Sequence, residues 1–141
     1  MRFSSMEYLE EVRRRTNADE EHRRLTAEES DSYTMIMRKE PEKGISEDIV
    51  VGYRIHGGEI SDIWEGQKDT DFTLSAKYGI WVDILRGKLD PVKALSLRRL
   101  KVKGNFFKLL KGSDSTLRWV EILRSIPTEF EGDYGQYDFG S

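Results

Sequence analysis

The chain of 141 residues contains no cysteine, which excludes disulfides, thiolate zinc sites and cysteine nucleophiles. Long apolar runs are missing too. The longest plain stretch is Ile49-Val50-Val51-Gly52-Tyr53, a strand's length and far short of the about 18 residues that span a bilayer. Met1 to Thr16 is charged and holds no apolar segment of the signal-peptide kind. Together these absences predict a soluble, cytoplasmic protein. Histidine is scarce as well. His22 falls in a charged helical stretch and His56 in a turn, neither beside a nucleophile, so both are read as surface residues. No nucleophile elbow, phosphate loop, dinucleotide fingerprint or zinc-protease motif occurs. The carboxylates Asp62, Asp69, Asp71 and Asp83 are scattered over polar turns. The expectation is no catalytic residue, no metal ligand set and no cofactor.

Charge, by contrast, is abundant: 35% of residues are charged, against about 25% in an average globular protein. It is also unevenly placed. Between Arg86 and Lys111 lie nine basic residues and one acid, Asp90, a net +8 that leaves −11 on the rest of a chain whose total is −3. This segment reads either as a solvated face or as a surface for anionic lipid headgroups. In the second reading Arg86, Lys88, Arg98, Lys101, Lys103 and Lys108 are the candidate membrane contacts. A net acidic chain without an RNA-binding signature argues against a nucleic-acid partner.

Periodicity orders the elements. Ser4-Ser5-Met6-Glu7 has capping-box spacing and opens a helix over about 5–15, and a short polar helix follows to about Leu25. Few apolar residues occur here, which predicts helices packed on the outside. Tyr33, Met35 and Met37 mark a strand. Ile49, Val51, Tyr53 and Ile55 alternate strictly, and Gly57-Gly58 signals a tight hairpin to a return strand over about 59–65. Phe72 and Leu74 mark a fourth strand; four in sequence with short turns predict an antiparallel meander. Ser75 is placed to cap a helix bearing Ile80, Trp81, Ile84 and Leu85, and Asp90-Pro91 to start another. Leu100 and Val102 alternate with Lys101 and Lys103 in a fifth strand. Phe106, Phe107, Leu109 and Leu110 come next, then a last helix from about Ser113 with Leu117, Trp119, Val120 and Leu123. One domain covers 1–127. The tail, 128–141, is acidic and aromatic, and its composition predicts an irregular or only partly ordered segment.

Three helical pieces after Leu74 therefore carry broad apolar faces with large aromatics. Two readings stand. These faces either close a core against one side of the sheet or line a dry cavity suited to an aliphatic or ring-fused guest. In the second reading the candidate lining is Ile80, Trp81, Ile84, Leu85, Phe106, Phe107, Leu110, Trp119, Val120 and Leu123.

One ordered run adds a resemblance. Asp71-Phe72-Thr73-Leu74, Trp81, Gly87-Lys88-Leu89-Asp90-Pro91, Lys93-Ala94-Leu95 and Leu100-Lys101-Val102-Lys103-Gly104-Asn105 together resemble the sterol carrier protein type 2 family in order and spacing. The resemblance implies an α/β (α+β) fold, a five-stranded, mainly antiparallel sheet covered on one face by helices. It further implies an apolar tunnel between the two layers for a lipid: a sterol, fatty acid, acyl-CoA or phospholipid. No catalytic residue carries over. The expected partners are a lipid ligand and, transiently, an anionic membrane surface; a homodimer is left open. Two alternatives also stay open: an accessory substrate-binding or dimerisation subunit of a lipid-metabolising enzyme, and an interaction module with a closed core. The C-terminal Phe139-Gly140-Ser141 is not a peroxisomal address, and the acidic tail has no counterpart in the family pattern.

Overall fold

The computed structural model describes residues 1–140, so Ser141, the last residue of the expected tail, lies outside the described residues. Five strands form a single sheet: β1 (Ser30–Arg38), β2 (Ile49–His56), β3 (Glu59–Glu65), β4 (Phe72–Lys77) and β5 (Lys101–Lys103), in the order β3-β2-β1-β4-β5. The first three strands make the expected antiparallel meander. Gly57 and Gly58, with φ of 56° and 87°, close the β2–β3 hairpin in a conformation few other residues accept.

The fourth strand departs from the meander. β4 does not pair with β3; it lies parallel to β1, with Tyr33 opposite Phe72 and Met35 opposite Leu74. Alternation fixes which side chains face inward but says nothing about which strand is the neighbour. The partner is chosen by the link 66–71, which is anchored on the sheet face opposite Tyr33 and Met35. There Thr34 Oγ1 donates to the Lys68 carbonyl at 3.2 Å and shares a hydrogen bond with Thr70 Oγ1 at 2.8 Å. The Ser32 amide and hydroxyl both donate to Asp71, at 2.8 and 3.0 Å. These bonds hold the Asp71 carboxyl below the usual carboxylate range, and Asp71 is thereby explained as an anchor. Thr34 is completely buried. Thr34→Val keeps its shape but strips both bonds from the link, so urea unfolding should show a loss of about 1–2 kcal/mol; an unchanged midpoint would assign the crossover to other contacts.

Gly52 has a different role on that face. A Cβ there would fall inside the Trp64 indole, which lies over the strand with Lys68 Nζ 4.5 Å from its ring. The absence of a side chain at 52 is what lets this aromatic cover the open face of β2.

Helices cover the other face: α1 (Met6–Ala18), α2 (Glu20–Leu25), α3 (Tyr78–Leu85), α4 (Pro91–Ser96), α5 (Phe106–Lys111) and α6 (Ser113–Arg124). Contrary to the expectation of an external packing, α1 buries Tyr8, Val12 and Thr16. Its cap is Ser5, accepting from the Tyr8 amide at 3.2 Å, one residue later than the expected Ser4. Phe3 explains the shift. Its ring packs against Tyr8, Tyr78 and Phe130, and this forces Ser4 into a buried position with φ of 62°.

Ser75 likewise does not cap α3. Pairing with β1 extends β4 to Lys77, and α3 starts with no local side-chain cap. A distant carboxylate serves instead: Glu40 Oε2 accepts from the Gly79 amide at 2.8 Å. Asp90 and Pro91 do start α4, with Asp90 accepting from the Val92 and Lys93 amides at 2.8 and 3.0 Å.

The tail, expected to be irregular or only partly ordered, instead holds a 3-10 helix over Gly132–Tyr137 and is not loose. Thr128 bridges Phe139 and Glu129 bridges Arg2. Phe130 is buried, and Tyr134, Tyr137 and Phe139 pack against the core. The Tyr134 hydroxyl donates to Glu40 at 2.8 Å, so the tail clips onto the carboxylate that starts α3. Composition hides this, because its aromatics find partners only in the folded chain.

Candidate functional site

Inward strand residues form a floor and the helices a roof. Met35 and Met37 of β1, Val51 of β2 and Leu74 of β4 face Trp81, Ile84 and Leu85 of α3, while Trp119, Val120 and Leu123 of α6 face them from the other side. Between these layers lies an apolar cavity of about 110 Å³. Both roof indoles have their polar atom satisfied elsewhere. Trp81 Nε1 donates to the carbonyls of Ile36 and Ala76 at 3.0 and 3.2 Å, and Trp119 Nε1 donates to Thr16 Oγ1 at 3.1 Å. The rings are left to present apolar surface.

A second cavity of about 230 Å³ adjoins it, and Tyr53, Leu74, Leu100, Thr116 and Trp119 belong to the walls of both. Tyr53 and Trp119, with ring centroids 5.1 Å apart, stand at this junction. Together the two reach the lower end of the about 300–1,000 Å³ usual for small-molecule pockets. The outer cavity is polar on one side, where His22, Glu28, Glu29, Asp31 and Lys108 reach its wall. Lys108 Nζ pairs with Asp31 Oδ1 at 2.7 Å, which holds the ammonium above its ordinary range. The Tyr33 hydroxyl donates to Glu29, and burial pushes the Glu29 carboxyl up.

Of the ten residues expected to line a cavity, Trp81, Ile84, Leu85, Trp119, Val120 and Leu123 lie on the wall of the inner one. Ile80, Phe106 and Leu110 are half-buried but belong to the wall of neither cavity. Phe107 is a correction: it is 74% exposed, because α5 is a six-residue helix with no fully buried residue. Sequence reasoning missed the floor, although strict alternation in β1, β2 and β4 marks those residues as inward. It also missed Tyr8 and Val12 of α1.

His22 is a second correction. It is only 5% exposed, and burial pushes its imidazole below the usual range. Five charged or polar residues in Glu20–Leu25 conceal an element that packs against α6. His56 is exposed, with Nδ1 3.1 Å from Ser30 Oγ.

The six basic candidates do not share one state. Arg86 stacks over Tyr137, 3.6 Å from the ring centroid, and pairs with Asp83 at 3.7 Å; Lys108 is engaged by Asp31. Among the described residues Lys88, Arg98, Lys101 and Lys103 have no ion-pair partner, and all four are exposed. No group of three His, Asp or Glu among the described residues is placed to hold a metal ion. No helix among them is long and apolar enough to cross a membrane.

A sheet roofed on one face by helices, with an apolar cavity between the layers, defines a class of small lipid-binding domain. The chain belongs to the SCP-2 sterol transfer family, whose model matches residues 10–114. That is a family of lipid binding and transfer, not of catalysis. A crystal structure of sterol carrier protein 2 superposes with a TM-score of 0.79 at 20% identity, covering 88% of this chain and 98% of its own. A conserved hypothetical protein from Thermus thermophilus, described as possibly a sterol carrier protein, gives 0.79 at 22% identity, covering 89% and 90%. Sterol carrier protein 2 from Aedes aegypti, solved in complex with palmitate, gives 0.51 at 16% identity, covering 82% and 98%. No curated protein matches the chain in sequence.

Proposed function

We propose that this chain holds one lipid molecule, apolar body inward between the sheet and α3/α6, and carries it without chemical change. The observation behind this reading is the inner cavity itself, whose walls between Met35, Leu74, Trp81 and Trp119 are almost wholly apolar. Such a space excludes water and favours aliphatic or fused-ring bodies. The palmitate held by the Aedes aegypti protein is a guest of that kind. A long chain exceeds the inner cavity alone, so the cargo spans the junction at Tyr53 and Trp119 and leaves its polar end in the outer cavity.

Organic extraction of freshly purified protein, followed by mass spectrometry, should yield lipid at about one molecule per chain, and a fluorescent acyl probe should bind delipidated protein with the same stoichiometry. Clean extracts together with no probe binding across a lipid panel would leave a closed-core interaction module as the better reading.

A further inference from the structure

The outer cavity holds ionisable groups that binding of an apolar body does not use, and they are asymmetric in kind. Its acceptors are spare. Asp31 is 4% exposed; Oδ1 takes the Lys108 ammonium at 2.7 Å, while Oδ2 is buried with no hydrogen-bond partner. His22 Nδ1 is buried and unpartnered as well, and a neutral imidazole protonated at Nε2 offers that nitrogen as an acceptor. Native proteins seldom leave such atoms unsatisfied, and both residues lie on the cavity wall.

Its donors, in contrast, are mostly engaged. The Tyr33 hydroxyl donates to Glu29. The hydroxyls of Thr26, Ser115 and Thr116 donate to backbone carbonyls at 2.8, 2.8 and 3.1 Å. Lys108 keeps two further N–H groups, but its single positive charge is already matched by Asp31 at 2.7 Å, so a carboxylate guest that shares it brings a second negative charge beside a buried Asp31. Glu28 and Glu29 add further negative charge on the same wall.

We propose that the outer cavity selects the polar end of the cargo: it accepts a head that donates hydrogen bonds and carries no negative charge, a hydroxyl or an ammonium, and turns away a carboxylate. A hydroxyl or ammonium satisfies Asp31 Oδ2 and His22 Nδ1, whereas a carboxylate meets acceptors and like charge. This rests on the lipid-binding reading above.

The experiment is competitive displacement of a fluorescent acyl probe at pH 7.4 by three guests of fourteen carbons each: 1-tetradecanol, tetradecylamine and myristate. The alcohol and the amine should each bind at least about tenfold more tightly than myristate, a modest margin for removing one like-charge contact. In a Glu29→Gln, Asp31→Asn variant, which also frees Lys108, the margin should collapse. In Lys108→Gln, which leaves Asp31 without its cation, it should widen; this exposed position keeps the test decisive if the double variant does not fold by circular dichroism. Myristate binding as tightly as the alcohol in the wild type, or a margin unmoved by the variants, overturns the head-group assignment and leaves lipid binding standing. Failure of all three guests to compete, with no probe bound, overturns both.

Discussion

Val120→Trp should lower lipid affinity by at least about thirtyfold, close to 2 kcal/mol, while the protein stays folded. Val120 sits on the middle of α6, half-buried, and its side chain reaches the inner cavity. An indole there takes the space that the cargo's apolar body would occupy. Because the cavity measures about 110 Å³, part of the larger ring fills existing space, and the usual overpacking cost of about 1–3 kcal/mol is offset by new contacts. Thermal unfolding separates the two effects. A ligand at a hundred times its dissociation constant stabilises the wild type by about 2.7 kcal/mol, and the variant should gain almost nothing from the same lipid. Phe107→Ala is the matched control, since Phe107 is an exposed aromatic away from the cavity wall; its affinity should be unchanged. If Val120→Trp binds normally, the cargo does not enter the space between sheet and roof.

How far the sequence reveals this site depends on what kind of signal each residue carries. Trp81, Ile84 and Leu85 share one face at helical spacing, and so do Trp119, Val120 and Leu123; periodicity alone makes them inward. The floor residues Met35, Val51 and Leu74 were as visible by alternation, but a strand's inner face reads equally as core or as lining until a space opens above it. The outer cavity was not legible at all. His22, Asp31 and Lys108 come from α2, β1 and α5, separated by up to 86 residues in the chain, and each looks like ordinary surface charge in its own window. The parallel neighbour of β4 escaped for a related reason. It is chosen by Thr34, Ser32 and Asp71 meeting across the back of the sheet, a contact between segments about 40 apart in sequence that no local pattern encodes. Ser75 and Ser4 failed as caps because pairing of β4 with β1 and burial of Phe3 overrode local preference.

Reversing two exposed charges, Arg98→Glu with Lys103→Glu, should weaken binding to anionic vesicles by at least about a hundredfold at low salt while leaving cargo affinity unchanged. We propose that the protein loads and unloads with the mouth of the outer cavity facing an anionic leaflet. Two stretches of the basic segment support this: Pro91, Leu95 and Leu100 from the first and Lys108 and Leu109 from the second all reach the wall of that cavity. Close to them in the chain are Leu97, 54% exposed, and Phe107, 74% exposed, large apolar side chains suited to the headgroup boundary. Arg98, Arg99, Lys103 and Lys111 are exposed around them. A basic residue near an anionic surface contributes about 1 kcal/mol, so two reversals, each removing an attraction and adding a repulsion of that size, amount to as much as about 4 kcal/mol, enough for a factor of at least about a hundred. Arg86 and Lys108 are poor choices for this test, because Asp83, Tyr137 and Asp31 already engage them. Salt should erase most of the effect, since the Debye length falls from about 10 Å at 0.1 M to about 3 Å at 1 M. Phe107→Ser should weaken binding further through a part that salt does not touch, because it removes apolar insertion without changing the charge. Vesicle co-sedimentation with neutral and anionic lipid, at both salt concentrations, measures all three. Binding indifferent to lipid charge, to salt and to the double reversal would make the basic segment a solvated face and place cargo exchange elsewhere.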